Sequence, residues 1–241
     1  MASAVVQSNS VGSNAGGGPT GSFNATLPGS ITQNNTITLC ISGDGTITND
    51  LTASGWTQVI AHTLAGRQTN YVYTKVAGAG ESNSVTINLT GAGTLYYSYY
   101  FEERSGLAVP TSYDVSALHD DSTNSATRVT GTTATTAQAA EFILTGISAF
   151  HDGTTFQSWA ALSPASGTPS ALCTSVGYDS LSIGGIDVNG TGTYFGTANV
   201  DGTGFPKCSA WIVTFLLASS SVPTPGPISA PSQAAQQASS W

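Results

Sequence analysis

The residues of this chain that could take part in catalysis are few, and their spacing does not match a known catalytic arrangement. Glu102 and Glu103 form a carboxylate pair such as glycoside hydrolases use. Neighbouring residues of a strand point to opposite faces, so this pair cannot flank one glycosidic bond. His62, His119 and His151 could supply a Ser-His-Asp triad, but no G-x-S-x-G sequence provides the nucleophile. We predict a protein without enzyme activity. A glycan hydrolase is the least favoured alternative, to be tested by mutating Glu102, Glu103 or His151.

Metal and cofactor chemistry has equally little support in the sequence. The densest polar cluster is His119, Asp120 and Asp121, but it lacks the alternating Asp/Asn spacing of an EF-hand loop. A calcium ion held by a loop at this cluster is the alternative that stays open. The three cysteines, Cys40, Cys173 and Cys208, form no C-x-x-C pair, and Cys40 and Cys208 lie in apolar runs typical of buried thiols. We therefore predict no catalytic residue, no metal ligand and no cofactor.

The aromatic side chains offer a third kind of site, a stacking platform for sugar rings or for a partner protein. Most of them, including the Tyr-rich run at residues 96–101, are expected to fill the core. Trp159 lies between polar, loop-like stretches and is the best candidate for an exposed ring. Trp241 ends a low-complexity segment and could anchor on another subunit. We name Trp159 and Trp241 as candidate contacts to a glycan or a partner.

The composition excludes several classes of partner. The 241 residues carry only five Lys and Arg against thirteen Asp and Glu, giving a net charge of −8. So few basic residues cannot neutralise a run of phosphates or bind an anionic membrane surface. With 39% hydrophobic residues the chain can still build a core, which disordered chains lack. We expect no nucleic-acid partner and no membrane.

Elements that would position these residues are short strands separated by glycine-rich turns. Ile37, Leu39 and Ile41 alternate with polar or small residues, which is the period of a half-buried strand. Similar runs occur near residues 71–76, 85–89, 95–101, 142–150 and 211–217, with weaker ones elsewhere. Residues 78–80 join two such runs and are predicted to form a hairpin loop, and the Gly184-Gly185 pair is predicted to form a turn. About twelve strands without a credible amphipathic helix predict an all-β fold, an antiparallel two-sheet sandwich that is jelly-roll-like, with low-complexity terminal arms.

Three segments follow from these patterns. Residues 1–20 are predicted to be an N-terminal strand or flexible arm, residues 21–218 a β-sandwich domain, and residues 219–241 a Ser/Pro/Ala/Gln-rich C-terminal arm. The first ten residues show neither the positive nor the apolar region of a signal peptide, so we expect synthesis in a cytoplasm.

A resemblance to tailed-phage virion structural proteins rests on several short stretches. These are SGWT at residues 54–57, YTKVAG at 73–78, the Ser105-Gly106 pair after the Tyr-rich run, DVSA at 114–117, and Trp211. The similarity covers roughly residues 20–218. It implies a jelly-roll or β-sandwich domain in a virion component without enzyme activity, and it supplies no catalytic or binding residue.

The most favoured function is therefore a structural part of a phage particle, located in the virion after synthesis in the host cytoplasm, and most simply a capsid decoration protein. Its partners would be other virion proteins, capsid or tail subunits, and further copies of the chain. The alternative is a tail- or fibre-associated module that binds a cell-surface carbohydrate and adheres to the host.

Overall fold

The computed structural model describes residues 2–16, 18–64, 68–121, 126–150, 155–164, 167–174, 179–201 and 208–219. In these residues the chain forms strands and one short 3-10 helix, Thr52–Ser54, before β5. The first half contains β1 Ala4–Gly16, β2 Thr20–Thr26, β3 Thr36–Asp44, β4 Thr46–Ile47, β5 Thr57–Leu64, β6 Gln68–Val76, β7 Ser84–Thr90 and β8 Leu95–Ser105. The second half contains β9 Tyr113–Asp121, β10 Thr127–Val129, β11 Ala140–Phe150, β12 Thr155–Trp159, β13 Ser170–Thr174, β14 Asp179–Asn189, β15 Thr197–Asp201 and β16 Cys208–Leu216.

The two halves repeat one strand order. In the first unit, β1 to β8, the order β1-β8-β3-β6-β5 makes a five-stranded sheet (sheet 1) and β2-β7-β4 a three-stranded sheet (sheet 2). In the second unit, β9 to β16, the order β9-β16-β11-β14-β13 makes sheet 3 and β10-β15-β12 makes sheet 4. Counted from the start of each unit, both orders are 1-8-3-6-5 and 2-7-4. All the pairs are antiparallel, so each unit is a jelly-roll-like sandwich of eight strands.

The four sheets stack as layers, with the two large sheets in the middle. Ile37, Leu39 and Ile41 of β3 face sheet 2, while Cys40 faces sheet 3, as the predicted alternation requires. Trp211 of β16 is 1% exposed and fills the space between sheets 1 and 3. Side chains between sheets 3 and 4 form two smaller clusters. The all-β antiparallel sandwich is confirmed, with four sheets in place of the expected two.

Several local predictions are wrong for reasons of topology. Residues 78–80 do not close a hairpin, because β6 pairs with β3 and β5 in sheet 1 while β7 pairs with β2 and β4 in sheet 2. Their glycines mark a change of direction, and the chain crosses to another layer there. Residues 10–16, part of the segment predicted to be either a strand or a flexible arm, continue β1 and pair with β8.

Gly184 and Gly185 were expected to form a turn, yet they lie inside β14. A Cβ on Gly184 would lie 2.6 Å from the Trp159 ring, and one on Gly185 would lie 2.8 Å from the Phe142 ring. The glycines therefore let aromatic rings approach both faces of the sheet.

None of the helices in the described residues has the length and apolar character needed to cross a bilayer.

Candidate functional site

The adjacent carboxylates of β8 point into different layers, as strand alternation predicts. Glu102 lies opposite Thr38 and faces sheet 3, and Glu103 lies opposite Ile37 on the other face of sheet 1. Both are buried, at 1% and 0% exposure. They belong to two separate hydrogen-bond networks, so they do not act together on one bond.

Glu102 is the centre of a buried network, which we call the inter-unit lock. Arg104 donates from Nε to Oε1 (3.0 Å) and from Nη2 to Oε2 (2.9 Å) of Glu102, a bidentate ion pair. Tyr100 donates its hydroxyl proton to the same Oε2 at 2.8 Å. These three residues alternate along β8, so their side chains share one face of the strand. Burial and then Glu102 raise the pKa of Tyr100 far above its usual value, so its hydroxyl stays protonated.

The lock continues into the second unit through Ser3 and Asp187. Arg104 Nη1 donates to Ser3 Oγ (3.1 Å), and Ser3 donates from Oγ (2.6 Å) and from its backbone N–H (2.9 Å) to the carboxylate of Asp187 on β14. The Arg104 guanidinium also lies 3.6 Å from the ring centroid of Phe142 on β11. Charge pairing, hydrogen bonding and ring contact thus meet at the boundary of the units. The network holds the two sandwiches together, and its groups are already paired.

Further polar contacts cross the same boundary away from the lock. Thr36 Oγ1 donates to Ser112 Oγ at 3.0 Å, and Ser148 hydrogen-bonds Asn70 where both side chains are fully buried. Because a buried polar group is costly unless paired, contacts of this kind fix one relative position of the sheets.

Glu103 organises the loop that precedes β3. Its carboxylate accepts hydrogen bonds from Gln7 Nε2 (2.6 Å), Thr32 N (2.9 Å) and Asn35 Nδ2 (2.5 Å). Burial alone would raise the pKa of Glu103, but these hydrogen bonds outweigh it and the pKa is lowered. Its role in the described structure is to join β1, β8 and the loop.

Glu141 is a buried acid that the sequence analysis did not single out. It is the second residue of the apolar strand β11, lies between Val188 and Leu216 of the neighbouring strands, and is 0% exposed. Asp114, Thr214 and the N–H of Gln138 surround the carboxyl, but within the described residues neither of its oxygens forms a hydrogen bond of normal geometry. Burial, followed by the Asp114 carboxyl, raises the pKa of Glu141 to about 7. The one feature of the sequence that could have identified Glu141 is its position immediately before a long apolar run.

The polar cluster at residues 119–121 belongs to a strand, β9, and the expected loop is absent there. Asp120 contacts His62 Nε2 of β5 at 2.7 Å and accepts a hydrogen bond from Ser209 Oγ at 2.7 Å. His119 and Asp120 are successive strand residues, so their side chains point to opposite faces and do not converge on one ion. In the described chain no three His, Cys, Asp or Glu side chains cluster as metal ligands would. The cysteines Cys40, Cys173 and Cys208 are buried free thiols.

Trp159 is not the exposed ring that the sequence indicated. It is 5% exposed and packs with Ile147, Ala198 and Phe156 between sheets 3 and 4. Trp159 ends β12, a five-residue edge strand of sheet 4, and its ring turns inward over Gly184. Trp241 and His151 lie outside the described residues.

A surface pocket of about 350 Å³ opens at one end of the first unit. Its lining includes Asp44, Thr46, Thr63, Thr69 and Leu95. Hydroxyl groups and a carboxylate can hydrogen-bond a sugar, but among the described lining residues there is no aromatic ring to stack on one.

Comparison of the chain with protein-family models, with curated proteins and with solved structures finds no match.

Proposed function

We propose that this protein is a non-enzymatic structural component of a tailed-phage virion, and specifically a capsid decoration protein. The observation that carries the proposal is the pair of jelly-roll-like units fixed face to face by the inter-unit lock. Jelly rolls recur in viral capsid and lectin domains, so the fold favours either class by analogy. A lock built of fully paired buried groups suits a rigid building block.

The distribution of charge supports the same role. Of the eighteen charged side chains, at least five are buried: Glu102, Glu103, Arg104, Arg128 and Glu141. The exposed strand positions are mainly Ser, Thr and Asn, as the sequence of β2 illustrates. Contacts made by such a surface would depend on apolar burial and neutral hydrogen bonds, which salt screens little.

Binding to virus particles tests this proposal. Purified protein is added to particles that lack it, and the bound fraction is measured by sedimentation from about 50 mM to 500 mM salt, a range over which exposed charge pairs are strongly screened. We expect saturable binding that changes little with salt. Failure to bind, or release by the moderate salt increase, would contradict the proposal.

The glycan-binding alternative shares the fold, but Trp159, the aromatic ring on which it chiefly depended, is enclosed between sheets 3 and 4. The threonine-lined pocket is its remaining support. A glycan array with the wild-type protein and an Asp44→Asn variant distinguishes the two roles: binding that is lost in the variant favours the glycan-binding module.

A further inference from the structure

The face of sheet 1 that packs on sheet 3 carries a second group of buried polar side chains, away from the lock. Gln68 and Asn70 of β6 are both 0% exposed, and they share this face because they are two positions apart in the strand. Ser42 of β3 lies opposite Asn70 and is also 0% exposed. Thr38, which lies opposite Glu102 of the lock, precedes Ser42 by about 13 Å along β3. The interface between the units therefore contains two separate polar regions.

Each of the two amides in this group has one atom paired and one atom without a partner. Gln68 donates from Nε2 to Ser42 Oγ at 2.9 Å, and Asn70 accepts a hydrogen bond at Oδ1 from Ser148 Oγ of β11. Within the described residues, Gln68 Oε1 and Asn70 Nδ2 form no hydrogen bond. A buried donor or acceptor without a partner bears its full desolvation cost, so such groups are rare in folded proteins.

The need for further partners does not depend on how the amides are oriented. Turning an amide over exchanges the places of its oxygen and its nitrogen. Asn70 would then donate to Ser148 from Nδ2 and leave Oδ1 unpaired. Gln68 would accept from Ser42 at Oε1 and leave Nε2 unpaired. In every orientation, one polar atom of each amide still needs a partner from outside the described residues.

The two unpaired atoms define the chemistry of that partner. One is a donor and the other an acceptor, so a single molecule that satisfies both must accept one hydrogen bond and donate another. It must be uncharged, because the amide N–H repels a cation and the amide oxygen repels an anion. It must also be very small, since both side chains are 0% exposed. Water meets these conditions, and buried waters typically join polar groups that would otherwise lack a partner.

The spacing along the strand fits a bridge through one water molecule. Alternate residues of a strand are about 6.6 Å apart. Two hydrogen bonds of about 2.9 Å through a single oxygen atom reach nearly as far. The side chains of Gln68 and Asn70 need only a slight inclination toward each other to be joined in this way.

We propose that a water molecule is bound between Gln68 and Asn70, inside the interface of sheets 1 and 3, and completes the hydrogen bonding of both amides. It accepts from Asn70 Nδ2 and donates to Gln68 Oε1. Because Asn70 also holds Ser148 of the second unit, the water is part of the polar contact between the units. This inference rests on the fold and is independent of the proposed function.

A crystal structure of the full chain, at a resolution that shows ordered water, tests the proposal. We expect a water peak at about 2.7–3.2 Å from both the Asn70 amide nitrogen and the Gln68 amide oxygen. Gln68→Met keeps the length of the side chain and removes the acceptor, so the peak should be lost. Thr74→Val is the matched control. It removes a buried hydroxyl from the same face of β6, one that donates to the Ile37 carbonyl at 3.3 Å, and should leave the peak in place.

Nuclear Overhauser effects between water and the Asn70 side-chain amide protons provide the same test in solution. Cross-peaks with the sign of a water that tumbles with the protein should appear in the wild type and in T74V, and should be absent in Q68M.

Two results would overturn the proposal. The first is wild-type density in which no water lies within hydrogen-bonding distance of both amides, for example because Gln68 and Asn70 bond directly to each other. The second is a water that remains unchanged at Asn70 in Q68M, because the Gln68 oxygen would then have no part in binding it. The wild-type measurements decide the proposal even if Q68M does not fold.

Discussion

Arg104 is the residue whose replacement most sharply tests the inter-unit lock. Arg104→Met keeps much of the side-chain volume but removes the only cation within the described lock, leaving the 1%-exposed Glu102 carboxylate without its bidentate partner. Removing one partner of a buried ion pair costs about 3–5 kcal/mol. The variant also loses the contact between the guanidinium and the Phe142 ring. Because about 1 kcal/mol lowers the melting temperature by 2–4 °C in a protein of this size, we expect a decrease of about 10 °C.

The assay is thermal and urea unfolding followed by far-UV circular dichroism, with two comparison variants. Glu102→Gln combined with Arg104→Met removes both charges and should recover most of the lost free energy of unfolding, since the main cost is the uncompensated charge. Lys75→Met breaks the more exposed Lys75–Glu81 pair, whose side chains are 20% and 15% exposed, and should cost no more than about 1 kcal/mol. An R104M variant that unfolds like K75M, or a double variant no more stable than R104M, would refute the reasoning.

Two further predictions concern other parts of the fold. Because the pKa of Glu141 is raised to about 7 in the folded protein, its contribution to stability is complete below its ordinary value of 4.5 and is lost as pH rises through 7. Glu141→Gln should therefore stabilise the protein at pH 8 by on the order of 2 kcal/mol and change little at pH 5, and urea unfolding with the same difference at both pH values would contradict this. Gly184→Ala should cost about 1–3 kcal/mol and change the tryptophan fluorescence, because its Cβ would meet the Trp159 ring at 2.6 Å. Gly192→Ala, where no atom lies within 4 Å of the added Cβ, is the matched control, and equal melting temperatures for the two variants would exclude the predicted clash.

The sequence predicted what depends on local alternation and missed what depends on the order of strands. The period of two in Ile37, Leu39 and Ile41 identified β3 and the face that packs against sheet 2, but it did not show that the opposite face is buried as well. The same alternation correctly predicted that Glu102 and Glu103 lie on opposite faces of β8. Neither pattern states which strand lies beside which, so the repeated order of the two units and the crossing at residues 78–80 could not be inferred.

The prediction that the Trp159 ring is exposed was wrong, because polar neighbours in the chain do not determine whether a side chain is exposed. The space for its ring is made by Gly184, twenty-five residues away in the chain and read from the sequence as part of a turn. The lock was missed for a similar reason. Ser3, Arg104 and Asp187 are far apart along the chain, and only the packing of sheet 1 on sheet 3 brings them together.

Quantitative mass spectrometry of purified, intact particles of a tailed phage whose genome carries the gene for this chain is the most direct test of the proposed virion role. The number of copies is measured relative to the major capsid protein, together with electron cryo-microscopy of the particle surface. A decoration protein should be present in hundreds of copies and account for density on the outside of the capsid. Absence from intact particles would contradict the virion role, and a handful of copies confined to the tail would contradict the location on the capsid.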